Sequence, residues 1–448
     1  MQTTQGFLRK YMYVIGFFCV YHISLFAQTF ELQDFVKAID KNAISLIDNK
    51  AQFESMLAER KSSIAWEYPT IEASGNTAKD TNKSGVEWDM SIVAKPKLWW
   101  VNALLKQSLQ AKGEQYQKTH NLLRNLNFIN AKRIYLTYVA TKEKYRYYLK
   151  REENFLKLLH IAQKRLEGGS ISRKDYVSFE VAYLDSTLAS VAVRNELLEL
   201  QKNLFMFMGL DKQHYAHIST NKDNTNMLYA IEKELHSIEN IENDDSDTKH
   251  NEIIIKGLEF QFIDMQQSLL DQKIQSSLYT EILDSQTKEY KSLAQYEGQN
   301  LWGNLEVGIG VNHSLSSYNP SLQTTIPLPV TRKQSHLKAK YMALESGTLA
   351  KTNITKKQIA IKAKAYLQEL ALQRKYIDIA KQNTQAKQHL AELNRLGYEA
   401  QQVTLFEYIT QENAFVDSQI ALVNSQIKYI DIVALLEETL GESFTKID

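Results

Sequence analysis

The sequence predicts a mainly α-helical protein with a small β part, built from long antiparallel helices and two β-hairpins. Its 448 residues include only 5 prolines and 16 glycines, and so few helix breakers favour long uninterrupted helices. Two windows, 69–94 and 304–328, instead alternate apolar and polar residues, which is the pattern of strands with one apolar face. One segment near the middle of the chain recurs near its end, which predicts two structural repeats.

The composition excludes several classes of function. The formal net charge is only +1, so there is no overall attraction to nucleic acid. The chain has no glycine-rich phosphate loop, HExxH, GxSxG or Cys–His cluster. A lone cysteine, Cys19, excludes an intramolecular disulfide framework. We therefore expect no enzyme, no cofactor, no metal site and no nucleic-acid partner.

The N-terminus has the pattern of a Sec signal peptide. Arg9 and Lys10 precede an apolar stretch that ends at Ala27, as in a basic region, an apolar region and a small residue at a cleavage point. A transmembrane anchor is the alternative, but the stretch is short for one and contains polar residues. We expect residues 1–27 to be removed and the mature chain to be exported.

Identical residues recur in two segments at one constant offset. The segment 166–190 aligns without gaps with 398–422, and the same offset pairs Gly209 with Gly441, where helix C-caps are expected. We interpret this as an internal duplication of about half the chain. The predicted divisions are a signal peptide, a first repeat, a polar linker and a second repeat, at 1–27, 28–210, 211–250 and 251–448.

Each repeat is predicted to hold a shorter helical stretch, a hairpin, a long helix, a tip and a return helix. The long helices 97–166 and 331–396 would each span about 100 Å at 1.5 Å per residue. The other predicted elements are the helical stretches 31–64 and 251–297, the hairpins 69–94 and 304–328, the tips 167–171 and 397–403, and a return helix after each tip.

The return helices carry a coiled-coil seam. In the second repeat, apolar residues from Val416 to Ala434 are spaced alternately by four and three residues, and their equivalents run from Leu184 to Lys202. This spacing predicts left-handed supercoiling against neighbouring helices. Asn195 and Lys202 weaken the seam in the first repeat.

The hairpins allow two interpretations, a soluble core with the apolar face on helices or a membrane barrel with the apolar face outward. The predicted strands 69–76, 86–94, 304–312 and 321–328 approach the 9–11 residues that cross a bilayer, which favours the barrel. Tryptophans at the junctions with helices favour it too, as an interfacial belt: Trp66, Trp99, Trp100 and Trp302. Four acids would then face the lumen: Glu72, Glu87, Asp89 and Glu306.

Four strands cannot close a barrel. Open sheet edges are not tolerated in lipid, and bacterial barrels need at least about eight strands. Several copies must therefore contribute to one barrel. Two, three or four copies would each satisfy this argument.

The order of these elements resembles the TolC-like outer membrane efflux protein family, and the resemblance covers nearly the whole mature chain. It implies a homotrimer, with a twelve-stranded β-barrel in outer membrane lipid on a long periplasmic α-helical tunnel of a Gram-negative bacterium. It also implies a periplasmic adaptor (membrane fusion) protein and an inner-membrane pump as partners, with no chemistry in the duct.

The tips resemble the family's tunnel mouth, whose turn has the form R-[FY]-x-x-G-x-x-[ST]-x-x-D. By this resemblance the adaptor-docking residues are Arg165, Gly168, Gly169, Ser170, Ile171, Ser172, Ala400, Gln401, Gln402, Val403 and Thr404. The periplasmic gate would hold Glu407, Thr410, Asp175 and Tyr398, with Glu407 in a narrowing acidic ring and Tyr398 and Asp175 in a closing latch. The second tip lacks the motif's arginine and glycine, since Gly397 and Gln401 stand in their places.

A finer resemblance concerns the segment TIPLPVTRKQ at 325–334. It resembles the CzcC-like heavy-metal branch, which implies a pump of the resistance–nodulation–division (RND) type and metal cations as cargo. The alternatives are a duct for type I secretion or multidrug efflux, and a periplasmic coiled-coil structural protein with no pore.

Overall fold

The computed structural model describes residues 28–79, 84–209, 253–300, 305–314, 317–328 and 331–445. The predicted signal peptide and the whole predicted polar linker lie outside these ranges. Within them the elements follow the order β1 (Gln28–Glu31), α1 (Leu32–Asn42), α2 (Ile44–Ile64), β2 (Thr70–Lys79), β3 (Ser84–Ala94), α3 (Trp99–Glu167), α4 (Arg173–Met208), β4 (Ile253–Lys256), α5 (Gln267–Gln275), α6 (Leu278–Gln299), β5 (Glu306–Ser314), β6 (Ser317–Thr325), α7 (Lys333–Glu399) and α8 (Leu405–Leu440).

The chain divides into two compact units. The described part of the small unit comprises 28–38, 208–209 and 253–259. In it β1 pairs in parallel with β4, and Lys256 lies 3.0 Å from Glu31 in an ion pair. This strand pair was not predicted, because each strand has only four residues and adjoins a helical pattern.

The shorter helical stretches differ from the prediction. The stretch 31–64 is not one helix, because α1 and α2 are separated at Ala43, whose backbone is extended. The stretch 251–297 is also wrong as a helix, since it comprises β4, an irregular segment, α5 and most of α6. The long helices α3 and α7, in contrast, begin and end within three residues of their predicted bounds, and the return helix α4 follows the first tip as predicted.

Equivalent elements of the two repeats have matching bounds. The helices α3 and α7 end at Glu167 and Glu399, which the offset between the repeats makes equivalent. The helices α4 and α8 are both 36 residues long. Gly209 and Gly441 follow them with φ angles of 63° and 74°, the left-handed conformation that ends a helix readily at glycine.

The larger unit contains a helical layer whose order follows from its contacts. On the side of the sheet, α3 lies between α2 and α6, and α6 lies between α3 and α7. On the side of the tips, α8 lies between α3 and α7, and α4 joins α3 through the hydroxyls of Thr187 and Ser190, which donate to Glu152. The layer therefore ends with α2 and α4 on one side and with α7 on the other.

The sheet follows the order β2-β3-β5-β6, antiparallel throughout. Its strands have 10, 11, 9 and 9 residues. They continue into the polar segments 77–85 and 313–320, which lie between the predicted strands, and β6 ends at Thr325 rather than at 328. Both edge strands, β2 and β6, pair on one side only within the described chain.

Candidate functional site

One face of the sheet is apolar and exposed. The register places Ile71, Ile92, Ile309 and Leu322 in one row across all four strands. These side chains keep between 51% and 76% of their surface accessible. Water-soluble monomers rarely expose a contiguous apolar patch of this kind. The interpretation of a soluble core packed on helices is therefore wrong for this sheet.

The opposite face is polar and holds the predicted lumen acids. Glu72 lies in register with Ser91, Gly310 and Ser321, and Asp89 lies in register with Asn312. Glu87 and Glu306 share this face by strand alternation. At the end of the sheet near the helices, Glu306 lies 3.0 Å from the Nζ atom of Lys95.

The polar face is concave. A Cβ atom added to Gly310 would lie 2.7 Å from the Cβ of Ser91 and 2.9 Å from the Oγ of Ser321. Opposite Cβ atoms in an ordinary antiparallel pair are about 4.5–5.5 Å apart. The strands β3 and β6 therefore both bend over β5 on this face, and glycine leaves the room for that bend.

Aromatic side chains flank the apolar face at both ends. At the hairpin end, the ring of His313 lies 5.6 Å from that of Trp88 and 4.6 Å from that of Tyr318. At the helix end, Trp66, Tyr68, Trp99 and Trp100 are exposed. Trp302 lies outside the described residues. The apolar band with an aromatic group at each end matches the exterior of a membrane barrel strand set.

The first predicted tip is a Schellman turn. The N–H of Ser170 donates to the carbonyl of Arg165, and the N–H of Gly169 donates to that of Leu166. Gly169 takes a φ of 69°, which glycine adopts without strain. The predicted tip residues Gly168–Ser172 thus form the whole connection between α3 and α4.

The second tip has the same geometry without a glycine at the left-handed position. The N–H of Gln402 donates to the carbonyl of Gly397, and the N–H of Gln401 donates to that of Tyr398. Gln401 takes a φ of 61°, which costs a residue with a side chain roughly 1–2 kcal/mol. Gly397 and Tyr398 lie in α7, so the turn is narrower than the predicted 397–403.

Gly397 has a packing role instead. A Cβ atom added to it would lie 2.7 Å from the Cγ2 of Val403. Its backbone conformation is helical, so what the glycine provides is space for Val403 over the last turn of α7. Arg165 and Ile171 hold the equivalent positions of the first tip, and both line a cavity there.

The predicted gate acids cap the return helices. The carboxylate of Glu407 accepts from the N–H of Thr404 at 3.0 Å, and the Thr404 hydroxyl accepts from the N–H of Glu407. Asp175 and Ser172 make the same reciprocal bonds in the first tip. The bond from the Ser172 hydroxyl and then the bond from its N–H lower the pKa of Asp175. For Glu407, the bonds from the N–H and then the hydroxyl of Thr404 lower the pKa.

Tyr398 and Asp175, the residues of the predicted latch, each contact a neighbour in their own repeat. Tyr398 stacks on Tyr408, with ring centroids 5.9 Å apart, while Asp175 is engaged in its capping box. The hydroxyl of Thr410 donates to the carbonyl of Phe406 within α8. Among the described residues of the single chain no hydrogen bond joins Tyr398 to Asp175, and the latch stays a prediction for the assembled mouth.

An aromatic pair that was not predicted joins the two tips. The rings of Phe179 and Phe406 meet edge to face at 5.6 Å. They border a cavity of about 310 Å³ that Leu158, Ala162 and Ile171 also line. The aromatic residues near both tips could have suggested this contact, but their pairing depends on how α4 and α8 lie at either side of α3.

None of the described helices has both the length and the apolar character needed to cross a bilayer. No cluster of three or more histidine, cysteine, aspartate or glutamate side chains in the described ranges is arranged to hold a metal ion.

Solved membrane channels share this architecture. VceC, an outer membrane protein of Vibrio cholerae, matches with a TM-score of 0.64 over 92% of this chain and 96% of its own, at 9% identity. CusC, whose structures concern transmembrane channel formation, matches with a TM-score of 0.64 over 92% of this chain and 93% of its own, at 13% identity. CmeC, the Campylobacter jejuni outer membrane channel, matches with a TM-score of 0.63 over 93% of this chain and 87% of its own, at 11% identity.

No protein-family model and no curated protein sequence matches the chain. At 9–13% identity, these chains share the course of nearly the entire backbone, which confirms the predicted resemblance at the level of architecture. The chain has the fold of the TolC-like outer membrane factors.

Proposed function

We propose that three copies of the chain close head to tail into an outer membrane duct, through which a tripartite efflux system passively releases its cargo. The observation that carries the proposal is the sheet with an exposed apolar face, a concave polar face and two free edges. Lipid would cover the apolar face, and the polar face would line a twelve-stranded barrel above a helical tunnel. The periplasmic adaptor and an inner-membrane RND pump complete the system by family resemblance.

The free edges are what a ring needs. In lipid, an unpaired strand edge leaves backbone N–H and C=O groups without partners, at several kcal/mol each. The first strand, β2, and the last strand, β6, are the two open edges, and the helical layer likewise has two open sides. If each copy contacts the next head to tail and the rotation closes into a ring, the free sheet edges and the open sides of the helical layer all gain partners at once.

The internal duplication supplies a template for that contact. In α8 the seam residues Val416 and Ile420 are 0% and 6% exposed, and the ion pairs Lys150–Glu412 and Arg151–Asp417 beside them join α8 to α3. In α4 the equivalent seam is exposed. Since α7 is equivalent to α3, the seam of α4 would pack on α7 of the neighbouring copy.

Exposed apolar residues on both helices support this pairing. On α4 they are Val177, Val181, Leu184, Leu188, Val191 and Leu198. On α7 they include Leu372, Ile379 and Leu390, whose positions in the sequence fall along one face of the helix. Neither face has a described neighbour in the single chain, so assembly would bury both.

At the tips, we propose that the adaptor docks on the two Schellman turns, 168–172 and 400–404. The offset between the repeats places Gln411 and Lys174 where Phe179 and Phe406 stand. The junction between copies therefore lacks the aromatic pair that joins the tips within one copy. We expect the mouth to open between copies, with Glu407 near the constriction.

Purified full-length protein in planar lipid bilayers tests the duct. We expect stepwise single-channel conductance, and a trimer by native mass spectrometry in detergent. A coiled-coil structural protein would give trimers without conductance. That outcome would refute the duct while leaving the ring of copies intact.

A further inference from the structure

The upper part of α7, next to the sheet, is strongly basic. Residues 331–366 contain nine lysines and arginines and a single acid, Glu345. Four of the lysines recur at intervals close to two or three helical turns: Lys333, Lys340, Lys351 and Lys362. Each step along the helix therefore returns to within about 20° of the same direction. They form one stripe, about 44 Å long at 1.5 Å per residue.

All four lysines of this stripe are exposed. None of them forms an ion pair with a carboxylate in the described part of the chain. Lys340 lies 5.2 Å over the ring of Tyr341, its neighbour in sequence. The stripe is therefore a column of positive charge that no described acid offsets.

The sides of α7 can be assigned from its contacts. Ile359, Ala363 and Leu370 belong to the buried cluster shared with α5 and α8. Ile354 and Ile361 are exposed and lie on the side that would face the neighbouring copy. These two sides are about 170° apart on a helical projection, and the lysine stripe lies in the sector between them.

The remaining side of α7 is covered by the segment 260–275. Lys364 lies 3.4 Å from Asp271 of α5, and the guanidinium of Arg374 lies 5.0 Å over the ring of Phe262. On a helical projection the stripe points about 140° away from both. The stripe and the segment 260–275 thus lie on opposite surfaces of the helical layer.

The size of a closed ring decides which surface is internal. Twelve wall helices at about 9 Å spacing enclose a circle of roughly 17 Å radius, measured to the helix axes. Three copies of α5 with its flanking segment inside that circle would fill it. The segment 260–275 therefore belongs outside, and the lysine stripe faces the interior.

We propose that Lys333, Lys340, Lys351 and Lys362 line the tunnel and select anionic solutes as its cargo. The inference rests on the proposed duct. A narrow passage with low-dielectric walls focuses the field of its charges and concentrates counter-ions. Twelve lysines from three copies would favour anions and disfavour bare metal cations.

A matched pair of triple variants tests the charge. Lys340, Lys351 and Lys362 are replaced by Gln in one variant, and Lys338, Lys356 and Lys364 in the other. The net charge changes equally, but the second set points away from the stripe; Lys338, for example, lies against Gly298 of α6. Reversal potentials in a potassium chloride gradient then report the permeability ratio of chloride to potassium.

We expect the stripe variant to lower that ratio about threefold or more, as a change of roughly one kT in local potential does, and the matched variant to leave it unchanged. An equal change of the permeability ratio in both variants, or no change in the stripe variant, would overturn the inference. The duct itself would still be supported, because the channels would conduct. Absence of conductance in the unmodified protein would overturn the duct and the inference together.

Thiol labelling tests the position independently of charge. The only native cysteine, Cys19, lies in the predicted signal peptide, so a mature Lys351→Cys protein carries a single thiol. A bulky thiol reagent should reduce the conductance of Lys351→Cys channels and leave Lys356→Cys channels unaffected. Block of the Lys356→Cys channels alone would place the stripe outside and refute the proposal.

Discussion

Replacing Ile309 by lysine tests whether the apolar face of the sheet contacts lipid or water. Ile309 lies in the row that spans all four strands and is 67% exposed. In water, an exposed substitution of this kind changes stability by no more than about 0.5 kcal/mol. At the middle of a bilayer, a lysine on the outer face of a barrel costs about 2–4 kcal/mol. The two environments therefore differ by a factor of at least about 10 in the folding equilibrium.

The control is Gln323→Lys, on the polar face one residue along from Leu322. It adds the same charge, but inside the predicted lumen, where water solvates it. Urea unfolding of the protein in phosphatidylcholine vesicles gives the free energy of unfolding of each variant. We expect a loss of at least about 2 kcal/mol per chain for Ile309→Lys and less than about 0.5 kcal/mol for Gln323→Lys. Equal small losses would refute the assignment of the apolar face to lipid.

Three further changes test the contacts between copies and the tips. Gln382→Lys should pair with Glu180 of the neighbouring copy, as Lys150 pairs with Glu412. The added ion pair should stabilise the ring by about 0.2–1 kcal/mol per contact and so raise the detergent concentration needed to dissociate it. Gln385→Lys should leave that concentration unchanged. Gln401→Gly should stabilise the chain to urea by about 1 kcal/mol, and Gly169→Gln should destabilise it by a similar amount; no difference would contradict the left-handed conformation. The lowered pKa values of Asp175 and Glu407 give a contribution to stability that is present above the ordinary carboxylate pKa of about 4 and is lost as the pH falls through the lowered values. The rate of amide hydrogen exchange at the starts of α4 and α8 should therefore rise at acid pH by more than the intrinsic pH dependence of exchange. The double substitution Asp175→Asn and Glu407→Gln should remove that extra rise. A rise that survives both substitutions would contradict the capping role.

The sequence was sufficient for the elements that depend on local pattern. The long helices follow from the scarcity of proline and glycine, and the strands and their faces follow from the alternation of residues such as Ile92 and Ile309. The ends of the hairpins were missed, because the polar arms at 77–79 and 317–320 pair through backbone hydrogen bonds, which do not depend on apolar side chains. Short strands such as β1 and β4 need a distant partner and leave little pattern.

The tips show what the duplication could have added. Gln401 has no local feature that predicts a left-handed backbone. The duplication, however, makes it the equivalent of Gly169, and a glycine at a helix end does predict that conformation. The capping boxes of Asp175 and Glu407 follow from the S/T-x-x-D/E pattern at both tips. The pair Phe179–Phe406, in contrast, depends on the packing of α4 and α8 and was not accessible to sequence patterns.

Cysteine cross-linking between the two sheet edges tests the closed ring most directly. One cysteine is placed on β2 at Ala73 and a second is scanned along β6 from Asn319 to Thr325, in membranes that contain the full-length protein. We predict that one register cross-links efficiently and that the covalent product stops at three chains. A product confined to single chains, or a ladder that extends without limit, would contradict it.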